Sequence, residues 1–179
     1  MNTILAIDPG NTHSGWCVID PDTRRPLQFG KTENNELLNL VYGKTDAGLD
    51  VDYCDPVYIE MIGHYGTGMP AGKTVFDTCV WIGRFIEAVG ADPAHGQHAT
   101  LVLRPTVKAH LCGSAKAKDP NVRQALIDRF APGQPNHGKG TKANPGWFHG
   151  FAADIWQAYA LAVYAADQLD HADEGSYSR

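Results

Sequence analysis

The chain has 179 residues, a net charge of −5, 43% hydrophobic and 20% charged residues. This length and composition predict one globular domain over residues 1–170, followed by a short acidic tail at 171–179. No apolar run approaches the roughly 20 residues that a membrane helix needs, and no basic segment precedes the first apolar run. We therefore expect no membrane partner and no signal peptide. Four scattered cysteines favour reduced thiols in a cytoplasmic protein.

The charge is unevenly distributed along the chain. Residues 101–142 contain eight Lys or Arg and two acidic residues, a local charge of +6, whereas the remainder carries −11. A basic segment on an acidic chain is typical of a site for a polyanion. Chance clustering on a solvated surface would produce the same count, so both interpretations stay open at this point.

The N-terminal third predicts three strands, at residues 3–8, 15–20 and 27–32, joined by short turns as an antiparallel meander. The first strand is apolar until it ends at Asp8, and a Pro9-Gly10 turn follows. Asp8 is therefore expected at the edge of the sheet where open α/β proteins bind ligands. An isolated aspartate before such a turn is also typical of a simple turn cap.

The middle of the chain predicts a helix over residues 36–41 capped by Asn34 or Asn35, and a buried strand over 57–62 interrupted by Glu60. A glycine-rich segment at 64–72 follows, but it is one residue too short for a phosphate-binding P-loop. Residues 73–89 predict a helix that is apolar on nearly all sides. We expect that helix to pack both on the sheet and on a partner chain.

The C-terminal half predicts a strand at residues 99–103 and helices at 105–111, 119–130 and 152–169. A glycine-rich loop at 132–146 precedes the last helix. Asp119 is expected to cap the second of these helices. Asp154 lies near the start of the last one. His95 and His98 have the spacing of a metal pair but lack further clustered ligands.

Three carboxylates, from Asp8, Glu60 and Asp154, meet if the first and fourth strands are parallel neighbours and the last helix packs over them. Three carboxylates in one cleft repel each other, and a hard divalent cation removes that repulsion. Oxygen-only ligands favour Mg²⁺ or Mn²⁺. Two such ions about 3.5–4 Å apart can activate water against a phosphodiester.

Four segments resemble the motifs of RuvC-type Holliday junction resolvases, in the RNase H-like superfamily. They are residues 4–10 with Gly15, residues 57–60, Val107-Lys108 with Gly113, Lys116, Lys118 and Val122, and residues 154–162. They cover most of the chain in the family's order. The lysine-rich loop at 138–146 is more similar to phage-encoded members, which would place the protein in the cytoplasm of a bacterial host.

The resemblance implies an α/β fold: a mixed five-stranded sheet with its first three strands antiparallel and helices on both faces. It also implies a homodimer that resolves four-way DNA junctions by paired, Mg²⁺-dependent nicks. Asp8, Glu60 and Asp154 would hold two Mg²⁺ ions, or Mn²⁺, and Lys108 would act on the scissile phosphate. With the basic segment, the resemblance gives these DNA-binding candidates: Tyr65, Lys108, Lys116, Lys118, Arg123, Lys139 and Lys142.

One position departs from the family pattern. Gln157 stands where many relatives have a second acid on the last helix, so it would offer only a neutral oxygen; His149 is an alternative ligand. Three rival functions therefore remain. They are a nuclease for RNA or unbranched DNA, a non-catalytic junction-binding protein, and an actin-like phosphotransferase. The last is included because residues 8–12 also resemble the phosphate loop of actin-like proteins.

Overall fold

The computed structural model describes residues 3–42, 54–63, 72–90 and 98–176. The elements in chain order are β1 (Thr3–Asp8), β2 (His13–Ile19), β3 (Pro26–Glu33), α1 (Asn34–Val41), β4 (Cys54–Met61), α2 (Lys73–Gly90), β5 (Ala99–Leu103), α3 (Arg104–Cys112), α4 (Asp119–Phe130), a 3₁₀ turn (Pro135–Gly138) and α5 (Ala153–Ser176). None of the helices in these ranges is long and apolar enough to cross a bilayer.

The five strands form one mixed sheet in the order β3-β2-β1-β4-β5. β1 pairs antiparallel with β2, and β2 with β3, as the meander predicted. β4 lies parallel to β1, and β5 parallel to β4. The predicted fold class is therefore confirmed, including the parallel pairing that the site hypothesis required.

Helices cover both faces of the sheet, which explains why β1 is apolar at four consecutive positions. Ile4 and Ala6 pack into a core formed with α3, α4 and α5. Leu5 and Ile7 pack into a second core on the opposite face, with α1 and α2. Successive side chains of a strand point to opposite faces, so a strand covered on both sides loses the usual apolar–polar alternation.

Two helix starts differ from the sequence prediction. α1 is capped by Glu33 rather than by an asparagine, because its carboxylate accepts hydrogen bonds from the backbone N–H groups of Asn35 and Glu36. Asp119 is the first helical residue of α4 instead of its cap. α5 continues through Ser176, past the end predicted at residue 169.

α2 packs on the sheet through only part of its apolar surface. Ile82, Phe85 and Val89 are buried, whereas Phe76 and Val80 are 61% and 62% exposed. Helical spacing places Phe76 on one face with Ile82 and Val89, but the structure buries only the last two. Cys79 is also exposed, although its apolar neighbours predict a helix interior.

Candidate active site

The carboxylates of Asp8 and Glu60 come together at the ends of two parallel strands. Ile7 of β1 pairs with Ile59 of β4, so the residues that follow lie side by side. Ala6 and Tyr58, two positions earlier on each strand, belong to the core beneath α5. Because side chains alternate along a strand, both carboxylates point to this same face.

The start of α5 brings Asp154 to the neighbouring strand. Gly15 of β2 is the register partner of both Asp8 on β1 and Lys31 on β3. A Cβ atom at Gly15 would lie 2.6 Å from the carbonyl oxygen of Asp154, so the helix can approach only where the side chain is missing. The Asp154 carboxylate forms an ion pair with Lys31.

The turn after β1 is held by buried and partly buried hydrogen bonds. Ser14 Oγ accepts from the Gly10 backbone N–H at 3.2 Å and donates to Asn34 Oδ1 at 2.7 Å. Asn34 Nδ2 in turn donates to the Gly10 carbonyl oxygen at 2.9 Å. Ser14 is fully buried, so it stabilises the turn that positions Asp8 instead of facing a ligand.

Arg104 is the basic partner of both strand-end acids. Its Nε donates to Glu60 Oε1 at 2.6 Å, and its Nη2 lies 3.3 Å from each carboxylate oxygen of Asp8. In the sequence, Arg104 contributes only to the charge of the basic segment. A signal was present, because the apolar run at residues 99–103 ends directly before Arg104, much as the first strand ends at Asp8.

The acids carry more negative charge than Arg104 offsets. Burial, reinforced by the neighbouring Glu60, raises the pKa of Asp8 to about 7, although Arg104 acts to lower it. Burial also raises the pKa of Glu60, and Arg104 again opposes the shift. Additional positive charge at this edge of the sheet would therefore be favourable.

Two clefts lie on either side of Asp8 and Asp154, which line both of them. The larger has a volume of about 490 Å³ and is also lined by Arg104, Arg123 and Gln157. The smaller has a volume of about 300 Å³ and is formed by the turn after β1 together with Lys31. The two acids thus form a ridge between two depressions that both contain basic side chains.

No family model and no curated protein sequence matches this chain. Among solved structures, Thermus thermophilus RuvC superposes with a TM-score of 0.64 over 95% of this chain and 96% of that one, at 15% identity. The chain has the RuvC fold. T. thermophilus RuvC in complex with a Holliday junction substrate gives a TM-score of 0.63 at 16% identity, over 94% and 97% of the two chains.

In this RuvC fold, some of the predicted DNA-binding residues are exposed or line a cleft, and others bind groups within the protein. Arg123 lies over the Trp156 ring, 5.0 Å from its centroid, in the larger cleft. Lys116, Lys118 and Lys142 are exposed. Tyr65 lies outside the described residues.

The remaining basic residues bind within the protein. Lys108 Nζ lies 2.9 Å from Asp119, an acid that lines the larger cleft and that sequence reasoning treated only as a cap. Lys139 Nζ donates to the Phe151 carbonyl oxygen at 2.7 Å. Arg129, another member of the basic segment, binds Asp167 through two hydrogen bonds of 2.7 and 2.8 Å. The basic segment is thus only partly a surface feature.

Of the two alternative ligands, the RuvC fold brings only Gln157 to the site. Gln157 lines the larger cleft beside Asp154. His149 lines neither cleft and lies with its Nδ1 3.2 Å from the Lys139 carbonyl oxygen. A neutral oxygen is therefore available next to Asp154, and the histidine is not.

The donor chemistry of the site suits Mg²⁺ or Mn²⁺, since Asp8, Glu60 and Asp154 offer only oxygen. Within the described ranges, however, no group of three or more His, Cys, Asp or Glu side chains is arranged to hold an ion. Instead, Arg104 engages two of the carboxylates and Lys31 engages the third. The ligands fit a divalent cation, provided that these basic side chains move.

Proposed function

We propose that this protein is a metal-dependent endonuclease that resolves four-way DNA junctions by paired nicks. The observation that supports the proposal most directly is a RuvC fold in which Asp8 and Glu60 follow paired residues of neighbouring parallel strands and Asp154 lies at the start of the helix that packs on β2. Two clefts, each of which contains a basic side chain, adjoin Asp8 and Asp154. A DNA strand crossing from one cleft to the other would pass its phosphates over the carboxylate ridge.

Asp8, Glu60 and Asp154 are the proposed ligands of two Mg²⁺ or Mn²⁺ ions, with Gln157 beside them. When bound, such ions neutralise charge on a phosphodiester and lower the pKa of an attacking water. The pairing with Asp119 orients Lys108, whose ammonium group would offset charge on the scissile phosphate. Arg123 and the exposed lysines would bind the DNA backbone, a contribution that weakens as salt rises.

We further propose that the protein is a two-fold dimer, because a four-way junction is itself two-fold symmetric and needs two cuts. The exposed face of α2, with Phe76 and Val80, is the proposed interface. Light scattering should give twice the chain mass of 19.4 kDa. Val80→Asp should give the single-chain mass. A monomeric wild type at micromolar concentration would contradict the dimer.

The decisive test of the nuclease activity uses Asp8→Asn. Losing one ligand of the ions should lower the rate of Mg²⁺-dependent nicking by at least about 10³-fold, since metal ions supply several kcal/mol of transition-state stabilisation. Binding of a synthetic four-way junction in Ca²⁺ should persist. The matched control is Asp22→Asn, an exposed acid in the β2–β3 turn that should cut like the wild type.

The same assay should include duplex DNA and an RNA–DNA hybrid of matched sequence. Preference for the junction supports the proposal, and preference for the hybrid would assign the protein to another nuclease class. Tight junction binding by the wild type without divalent-dependent cleavage would make it a binding protein. Normal cutting by Asp8→Asn would refute the site.

A further inference from the structure

Every proposed metal ligand is paired with a basic side chain of the chain itself. Arg104 binds both Glu60 and Asp8. Lys31 binds Asp154. The two basic residues come from opposite edges of the sheet, Lys31 from β3 and Arg104 from the first position of α3, directly after β5. When no metal ion is bound, the protein's own basic side chains thus neutralise part of the negative charge of these acids.

These pairings use the same oxygen lone pairs that a divalent cation requires. Arg104 Nε is 2.6 Å from Glu60 Oε1, and Nη2 is 3.3 Å from both oxygens of Asp8. Magnesium binds carboxylate oxygen at about 2.0–2.1 Å in a strict octahedron, which leaves no space for a guanidinium between the two acids. Arg104 and an ion at this position therefore exclude each other.

Both basic groups lie where DNA phosphates would reach them. Arg104 lines the larger cleft, and its Nη1 is already 3.6 Å from Asp119. Lys31 lines the smaller cleft, and its side chain is 52% exposed. Guanidinium and ammonium groups are the usual protein partners of phosphate. A strand that crosses the ridge between the clefts can pair with each group.

We propose that Arg104 and Lys31 are internal counter-ions that exchange carboxylates for DNA phosphates when a junction binds. When phosphates bind these two side chains, the acids become free to bind metal. When metal binds the acids, the side chains become free to bind phosphate. Each ligand therefore strengthens binding of the other, by the same factor in both directions. This inference rests on the proposed function.

The test measures Ca²⁺ binding to the DNA-free protein by calorimetry, and junction binding with and without Ca²⁺ by fluorescence anisotropy. Arg104→Gln should raise Ca²⁺ affinity of the DNA-free protein by about tenfold and lower the Ca²⁺–junction coupling by a similar factor. Arg104→Lys keeps a positive charge but loses the forked set of guanidinium donors, so its Ca²⁺ affinity should lie between those of the wild type and Arg104→Gln. Lys31→Gln, at a half-exposed position, should act in the same direction.

Arg25→Gln is the control, because it removes one positive charge from an exposed side chain that lies over the Trp147 ring and has no role in the proposed site. Its Ca²⁺ affinity should stay within about twofold of the wild type, because salt screens exposed charges that are far apart. An equal rise in Arg25→Gln, or no rise in Arg104→Gln and Lys31→Gln, would overturn the inference. Failure of the wild type to bind a junction would instead count against the proposed function, and the Ca²⁺ measurement on the DNA-free protein would still decide the counter-ion role.

Discussion

Asp8 and Asp167 are both mostly buried, with side chains 15% and 10% exposed, and both bind arginine. Asp8 shares one guanidinium, that of Arg104, with a second carboxylate. Asp167, further along α5, accepts from Arg24 and Arg129 and lies 2.7 Å from His110 Nε2. In the first cluster acids compete for one cation, and in the second cationic and imidazole groups converge on one acid.

The two clusters have opposite effects on acidity. Burial raises the pKa of Asp8 to about 7, and Glu60 adds to the shift. Burial would also raise the pKa of Asp167, but hydrogen bonds from Arg129, His110 and Arg24 hold it well below its usual range. An acid with too few partners disfavours the folded state until a ligand arrives, whereas one with many partners stabilises it. The first arrangement suits a site and the second suits a structural link.

Asp167→Asn should cause the largest change in stability. It leaves Arg24, whose side chain is 10% exposed, without its buried carboxylate partner. Removing one partner of a buried pair costs about 3–5 kcal/mol, so the free energy of unfolding in urea at pH 7 should fall by about 3 kcal/mol. Because the folded-state pKa is lowered, this stabilisation exists above about pH 4 and is lost as the pH falls.

Asp170→Asn is the control for that measurement. Asp170 also binds Arg24, but its side chain is 58% exposed. Exposed ion pairs contribute about 0–1 kcal/mol, so this variant should unfold almost as the wild type does. Equal effects of the two substitutions would mean that convergence on Asp167 adds nothing, and the contrast between the clusters would fail.

Asp8→Asn should change stability less and in the opposite direction. The folded-state pKa lies above the unfolded value of 3.8, so ionised Asp8 destabilises the fold increasingly from about pH 4 to pH 7. In EDTA at pH 8 the variant should be more stable by about 1–3 kcal/mol, after allowance for the lost contact with Arg104. Melting temperatures at pH 4 and pH 8 measure this gain, which should nearly vanish at pH 4.

A loss of stability in Asp8→Asn at pH 8 would show that Arg104 neutralises the strand-end acids fully. The two clusters would then be alike. Added Mg²⁺ should raise the melting temperature of the wild type more than that of the variant, because only the wild type retains all the proposed ligands.

The sequence was most informative where local pattern and strand order decide the structure. An apolar run ending in Asp8 and a second one interrupted by Glu60 predicted two buried strands, and parallel pairing made those acids neighbours. The basic partners of the acids were not predictable in this way. Lys31 reaches Asp154 only because the register of three strands places Gly15 between it and Asp8. This alignment of Lys31, Gly15 and Asp8 across three strands depends on tertiary strand pairing, so it leaves no signal in the local sequence.

The number of charges in a segment does not determine where each charged side chain lies. The basic segment predicted a polyanion surface, yet Arg129 and Lys139 bind groups within the protein. Residue counts do not tell which side of a helix or loop faces solvent. The same applies to α2, where helical spacing alone did not distinguish the buried Phe85 from the exposed Phe76.

Gly15 has a consequence for how the separation of the acids is set. The backbone of α5 rests almost directly on the backbone of β2 there, with no side chain between them. The distance between Asp154 on the helix and Asp8 and Glu60 on the strands is thus set by a contact between two main chains. A main-chain contact does not depend on the size of the core side chains elsewhere along α5, so we expect the interior to vary in sequence while the separation of the acids is kept.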